Sequence, residues 1–228
     1  MKRSTLVAIV LSILSVGYGR AVAAQPLPAG PGRVEVSLGA LWIGQLALGS
    51  NDANETTPTG GNLKIFTTST DLGSAAGLEA RVAVRLLQSL EAEVEGSYST
   101  PRLKVTIGSD IENAPGVTAT ESVQQFTIGA GVVWYVPFHL ASSRLAPFVS
   151  GGGGHLRQVH EERTSVETGQ YYHVGGGVTW LLFARPRGLI NAVGLRVDAR
   201  AVVRLKGVAF DEGGHASPAV GASAFVRF

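Results

Sequence analysis

The chain has 228 residues, with 19 basic and 17 acidic side chains, 30 glycines, 45% hydrophobic residues and no cysteine. The lack of cysteine excludes a disulfide framework and a lipid-modified cysteine at an export cleavage site. Near-balanced charge, with no run of one sign, argues against a nucleic-acid-binding surface, and nucleic acid is not an expected partner.

The first residues, MKRSTLVAIVLSILSVGYGRAVAAQ, follow the three-part plan of a secretory signal: Lys2 and Arg3, an apolar run from Leu6 to Val16, and the small-residue segment AVAA. The run breaks at Gly17, Gly19 and Arg20, short of the about 20 apolar residues that a spanning helix needs. Residues 1–24 are therefore expected to be a cleaved signal peptide, 25–32 a short linker and 33–228 one β-barrel domain. Without Lys2, Arg3 and Arg20, 16 basic residues face 17 acidic ones, so the mature chain is near neutral. No later segment is apolar for long enough to make a membrane helix, so a membrane location requires strands.

Alternation of apolar and polar residues then recurs eight times, and a period of two belongs to a strand with unlike faces. RVEVSLGALWIG sets Val34, Val36, Leu38, Ala40 and Trp42 against Glu35, Ser37 and Gly39. GLEARVAVRLL sets Leu78, Ala80, Val82, Val84 and Leu86 against Glu79, Arg81 and Arg85, and the next run sets Leu90, Ala92, Val94 and Tyr98 against Glu91, Glu93 and Glu95. Helical spacing scatters these charges around every face, whereas a period of two gathers them on one.

QFTIGAGVVWYV places Phe126, Ile128, Ala130, Val132 and Trp134 on one face. The Gly-rich APFVSGGGGHLRQ gives Phe148 and Leu156 one parity and His155 and Arg157 the other. YYHVGGGVTWLL sets Tyr172, Val174, Val178, Trp180 and Leu182 opposite His173, and GLRVDARAVVRLK sets Leu195, Val197, Ala199, Ala201, Val203 and Leu205 opposite Arg196, Asp198, Arg200, Arg204 and Lys206. GASAFVRF is the eighth run, with Val220, Ala222, Ala224 and Val226 on one face and Phe225 as the exception to the pattern.

Links alternate between short (near 88–89, 137–144 and 184–189) and long and polar (near 50–74, 99–121, 161–170 and 207–217). Antiparallel neighbours joined this way put the long loops at one end and both termini at the other. The expected fold is all-β: a closed antiparallel up-and-down transmembrane β-barrel of about eight strands, its apolar face toward lipid and its charges toward the lumen. The aromatic residues of the apolar face sort into two belts, Trp42, Tyr98, Phe126 and Tyr172 near the long-loop end and Trp134, Phe148, Trp180 and Phe228 near the short-turn end, as membrane interfaces favour. A lumen charge network of Glu79, Arg81, Arg85, Glu91, Glu93, Glu95, Arg196, Asp198, Arg200 and Arg204, with Glu35, Arg157 and Arg227 on the same face, is then expected to pair into a plug, since a barrel of eight strands holds little more than its own side chains.

The export signal, the eight amphipathic runs, LAPFVSGGGGHL (145–156), YYHVGGGVTW (171–180) and FVRF (225–228) together resemble the small outer-membrane β-barrel family that includes the transmembrane domain of outer-membrane protein A and the opacity-type proteins. The resemblance implies a Gram-negative outer-membrane location in contact with lipid. It also implies that Phe228, with Val226 and Ala224, forms an assembly signal read by the barrel assembly machinery.

No residue set points to catalysis, a metal or a cofactor. His155 and His173 fall on the inner face and His160 precedes Glu161 and Glu162, but their spacing matches no metal motif. Ser165, Glu167 and His160 share one loop region, and a triad is recognised by geometry rather than by composition. GGGG and GGG lead into no helix, so they read as close packing or strand curvature rather than phosphate loops. The expected role is structural or surface-interacting, carried by long exposed loops and an unidentified surface ligand. A narrow ion or small-solute pore, a lipid-modifying outer-membrane enzyme and a soluble periplasmic barrel are the alternatives.

Overall fold

The computed structural model describes residues 32–56, 61–108, 116–137, 144–160, 166–185, 188–205 and 214–228. The expected signal peptide, most of the linker, Ser165 and Lys206 lie outside the described residues. Among the described residues eleven strands form in chain order: β1 (Val34–Ile43), β2 (Leu46–Thr56), β3 (Asn62–Leu72), β4 (Ala75–Leu87), β5 (Leu90–Ser99), β6 (Arg102–Gly108), β7 (Val117–Tyr135), β8 (Leu145–His160), β9 (Val166–Ala184), β10 (Ala192–Leu205) and β11 (His215–Arg227). All pairings are antiparallel. Eight of the strands close a ring in the order β1-β4-β5-β7-β8-β9-β10-β11 and back to β1. Closure leaves no open edge in the ring, which is what a strand structure needs inside a membrane.

The alternation settles which way the ring faces. Leu38, Leu78, Ile128 and Val174 point outward and are 62–66% exposed, while the arginines and carboxylates between them point inward and are buried. A wall of bare aliphatic side chains around charged contents is the inverse of a soluble barrel and the polarity of a membrane one. Among the described residues no helix is long and apolar enough to cross a membrane, so the crossing is made by strands.

The remaining strands correct the expected loops. Residues 50–74 and 99–121 read as long polar loops, yet β2, β3, β6 and the first residues of β7 pair into a second sheet that continues four barrel strands beyond the ring. Three of those four strands are interrupted at one level, by Gly44 and Gln45, by Gly73 and Ser74, and by Thr100 and Pro101. Gly weakens a strand and Pro withholds a ladder donor, so strand structure is interrupted at this level. At Gly49 the register of β2 against β3 slips and φ is 112°, a left-handed conformation that glycine adopts without a Cβ penalty. Leu46, Leu48, Leu72, Leu103 and Val123 bury one face of this extension, with Val105 packed against them. The Asn- and Thr-rich composition of the segment hid the short apolar alternation at Leu46, Leu48, Leu103 and Val105 that packs the extension.

Candidate functional site: the lumen

Inward side chains on β10 stand at every second residue and reach across the barrel to β4 and β5. Arg196 Nη1 donates to Glu93 Oε2 at 3.0 Å, Arg200 Nη1 to Glu95 Oε2 at 2.9 Å, and Arg200 Nη2 to Glu79 Oε1 at 2.6 Å. Arg81 Nη2 donates to Asp198 Oδ1 at 3.0 Å and also to Glu79. Each group in this set is at least nine-tenths buried. In so dry a place an unpaired charge is costly, and the pairing of Glu93 with Arg196 together with the sharing of Glu79, Glu95 and Asp198 among Arg81, Arg196 and Arg200 is what makes the burial tolerable. Tyr171, which the strand pattern did not single out, donates to Glu95 Oε1 at 2.9 Å, and His173 Nε2 lies 3.2 Å from the same oxygen.

A second group lies at the short-turn end. Arg227 Nε donates to Glu35 Oε2 at 2.7 Å, Arg227 Nη2 to the Tyr135 hydroxyl at 3.0 Å, and Tyr135 in turn to Glu91 Oε2 at 3.0 Å. Arg85 Nη2 donates to Glu91 Oε1 at 3.1 Å. Apolar side chains fill the space around them: Val133, Tyr135, Ala146 and Phe148 in one cluster, and Leu181, Ala192 and Phe225 in another.

Phe148 corrects the expected aromatic belt. It is 3% exposed, points into the lumen, meets Tyr135 edge-on and lies 4.4 Å from the Arg196 guanidinium carbon. Leu156 on the same strand is also inward, whereas His155 and Arg157, expected in the lumen, are exposed on the outer face. The parity runs unbroken through Gly151–Gly154, with Phe148, Leu156 and Gln158 inside and Val149, His155 and Arg157 outside; the expectation took the wrong one of the two faces, because four positions without side chains leave the strand little polar contrast to show which parity enters the lumen. The other belt residues, Trp42, Tyr98, Phe126, Trp134, Tyr172, Trp180 and Phe228, stand 38–51% exposed on the outer wall, with Tyr98 and Phe126 as register partners whose rings are 4.9 Å apart. Val226 and Ala224 share the outer face of β11 with Phe228, while Phe225, the break in that strand's alternation, is fully buried inside.

The glycine runs now have a steric reason. A Cβ on Gly175 would sit 2.7 Å from Arg200 Cγ, and one on Gly152 would sit 2.7 Å from His173 Nε2. Inward glycines on β7, β8 and β9 thus leave the lumen width to long side chains projecting from other strands. Above the ion pairs, toward the long-loop end, a cavity of about 40 Å³ remains, with Leu41, Ile43, Val202 and Leu156 as apolar walls and Arg204 on its border.

At the long-loop end, on the inward parity of β7, β8 and β9, His160 Nδ1 is 2.9 Å from Glu121 Oε1 and His160 Nε2 is 4.0 Å from Glu167 Oε1. Among the described residues no group of three His, Cys, Asp or Glu side chains is arranged to hold a metal. On the extension, hydrogen bonds from Lys64 and from the Thr67 hydroxyl, each 2.8 Å long, hold the exposed Asp52 carboxyl below the usual carboxylate range.

No family model and no curated protein matches the sequence. Similar solved structures include Neisserial surface protein A (16% identical, 86% of this chain and 97% of that chain covered, TM-score 0.47). The outer membrane protein AlkL in lipid bilayers is 13% identical, with 92% and 96% covered and a TM-score of 0.41. Ail of Yersinia pestis, in complex with the heparin analogue sucrose octasulfate, is 13% identical, with 85% and 98% covered and a TM-score of 0.39. The fold itself rests on the chain's own strand pairing and inverted polarity: it is a closed antiparallel up-and-down transmembrane β-barrel with eight strands in its ring.

Proposed function

We propose that this protein is a bacterial outer-membrane barrel, exported with loss of residues 1–24, whose lumen is plugged and whose work is structural or surface-interacting. The observation that carries the reading is the set of ion pairs across the lumen, in which Arg81, Arg196 and Arg200 tie β4 and β10 to carboxylates on β4, β5 and β10. Paired charges and the side chains around them occupy the bore, beside a cavity of about 40 Å³, room for on the order of three waters. Solute passage would require breaking several buried ion pairs at once.

Function then moves to the long-loop end. The extension presents Asn, Thr and Lys side chains on a two-edged sheet, and rigidly held exposed elements are where binding usually resides. Lipid meets the outer apolar wall and its aromatic belts. The outward face of β11, with Phe228, Val226 and Ala224, serves as the signal for the barrel assembly machinery.

The test is ion conductance of refolded protein in a planar lipid bilayer, with folding verified by heat-modifiable gel migration. Correctly folded protein should be silent. Steady, reproducible channels would overturn the plug and establish the narrow pore instead.

A further inference from the structure

We propose that Arg204 binds a small monovalent anion, chloride or a short carboxylate, at the long-loop end of the lumen. Arg81, Arg85, Arg196, Arg200 and Arg227 each have a carboxylate partner inside the barrel. Arg204 is as buried as they are, 6% exposed, and among the described residues it has none; its Nη1 has no hydrogen-bond partner. Guanidinium groups stay charged under all ordinary conditions, so a buried one must be given a counter-charge or be destabilising.

The surroundings supply a pocket for that counter-charge. Arg204 borders the cavity of about 40 Å³, and the two carboxylates that also border it are already engaged: Glu79 by Arg200 and Arg81, Glu95 by Arg200 and Tyr171. A second orphan lies beside it. Ser217 Oγ on β11 is buried without a partner, and the register partner of Ser217 is Val202, the inward residue two positions before Arg204. Ser217 is thus a diagonal neighbour of Arg204 on one face of the sheet, within reach of a long side chain, and its hydroxyl is a second uncommitted donor next to the residues that border the cavity.

The same features set the ligand class. One guanidinium calls for one negative charge, and the volume holds on the order of three waters, enough for chloride or acetate. A doubly charged oxyanion would carry one charge more than the single uncommitted guanidinium can balance, in a cavity bordered also by the Glu79 and Glu95 carboxylates. Sulfate should therefore be rejected.

Chloride is the probe, observed by the broadening of its NMR line in the presence of refolded protein in detergent micelles. Wild-type broadening should saturate with chloride, be displaced by acetate and be unaffected by sulfate at equal ionic strength. Arg204→Gln, shown to be folded by its heat-modifiable migration, should lose the saturable component. Ser217→Ala, which removes no charge, should weaken chloride binding several-fold and provides the readout should Arg204→Gln fail to fold. Saturable broadening that is absent from wild type, or unchanged in both variants, overturns the site.

Discussion

Glu35 and Arg227 are register partners at the seam where the first strand of the ring meets the last, and Arg227 Nε donates to Glu35 Oε2 at 2.7 Å. The pair joins residues 192 positions apart, so it forms only when the barrel closes. Arg227 also holds the Tyr135 hydroxyl and lies 3.5 Å from Glu91, binding the seam to β5 and β7. Removing its guanidinium leaves Glu35 buried and unpaired, a loss of about 3–5 kcal/mol. Arg227→Met should lower the denaturant midpoint of the refolded barrel accordingly, and adding Glu35→Gln should restore part of the loss because the orphaned charge is then gone. An unchanged midpoint in the single variant would remove the ion pair from the account of closure.

Arg200 reaches three carboxylates, Glu79 at 2.6 Å, Glu95 at 2.9 Å and Asp198 at 2.8 Å, and Arg196 holds Glu93 at 3.0 Å. Replacing both arginines by serine shortens two of the longest side chains in the lumen and leaves its acidic groups in excess, so water must enter to solvate them. The double variant should conduct where the wild type is silent, and its channels should prefer cations, since the remaining field is negative. A folded double variant that stays silent in the bilayer would show that the bore is closed by something other than these ion pairs.

The ring was legible because a period of two survives in β1, β4, β5 and β10, where charged and aliphatic residues alternate and gather on opposite faces. Two features were not. Phe148 and Leu156 share a parity as expected, but the glycines at 151–154 supply no polar or apolar side chains to show which parity of β8 faces the lumen. The extension reads by composition as loop, because Thr and Asn serve both a polar strand face and a turn. Tyr135 and Tyr171 were not singled out for another reason: the period of two puts each opposite an outward aromatic, but the carboxylate its hydroxyl meets, Glu91 or Glu95, stands on a strand distant in sequence. Leu46, Leu48 and Leu103 at alternate positions were the available signal for the extension.

Gly175 and Gly151 make opposite predictions from similar sequence contexts. A Cβ at Gly175 would meet the backbone oxygen of Ala199 and the Arg200 side chain, whereas one at Gly151 would have its nearest neighbour, the His173 carbonyl oxygen, at 3.6 Å. Gly175→Ala should therefore cost about 1–3 kcal/mol by overpacking. Gly151→Ala, in ordinary contact and on the outer face, should be neutral or slightly stabilising, because glycine in a strand weakens it. Equilibrium unfolding of the two variants decides: equal midpoints would deny that lumen crowding is what requires glycine.

Phe228 stands on the outer wall, 41% exposed, and its backbone nitrogen donates to the Val34 carbonyl at 2.8 Å. Its ring takes no part in the buried clusters, so deleting the residue should leave refolding in detergent nearly intact while reducing outer-membrane levels in cells. Cell fractionation alongside in vitro refolding separates the two effects. Wild-type surface levels in the deletion variant would argue against an assembly signal, and failure to refold in detergent would make the residue structural.

Val197 offers the most direct check on which side of the wall meets lipid. It lies in the middle of β10, 54% exposed, with Val178 and Ala222 as its register partners, far from both rims of the barrel. At a water-facing site Val197→Arg would change stability by no more than about 0.5 kcal/mol. At the midplane of a bilayer the same change costs about 2–4 kcal/mol, because the guanidinium must be solvated by a local distortion of the lipid. Denaturant unfolding from phospholipid vesicles should show the larger loss, and Leu205→Arg, at the end of the same strand, a smaller one, since the penalty falls toward the interface. Equal, negligible effects at both positions would place the outer wall in water and return the fold to the soluble class.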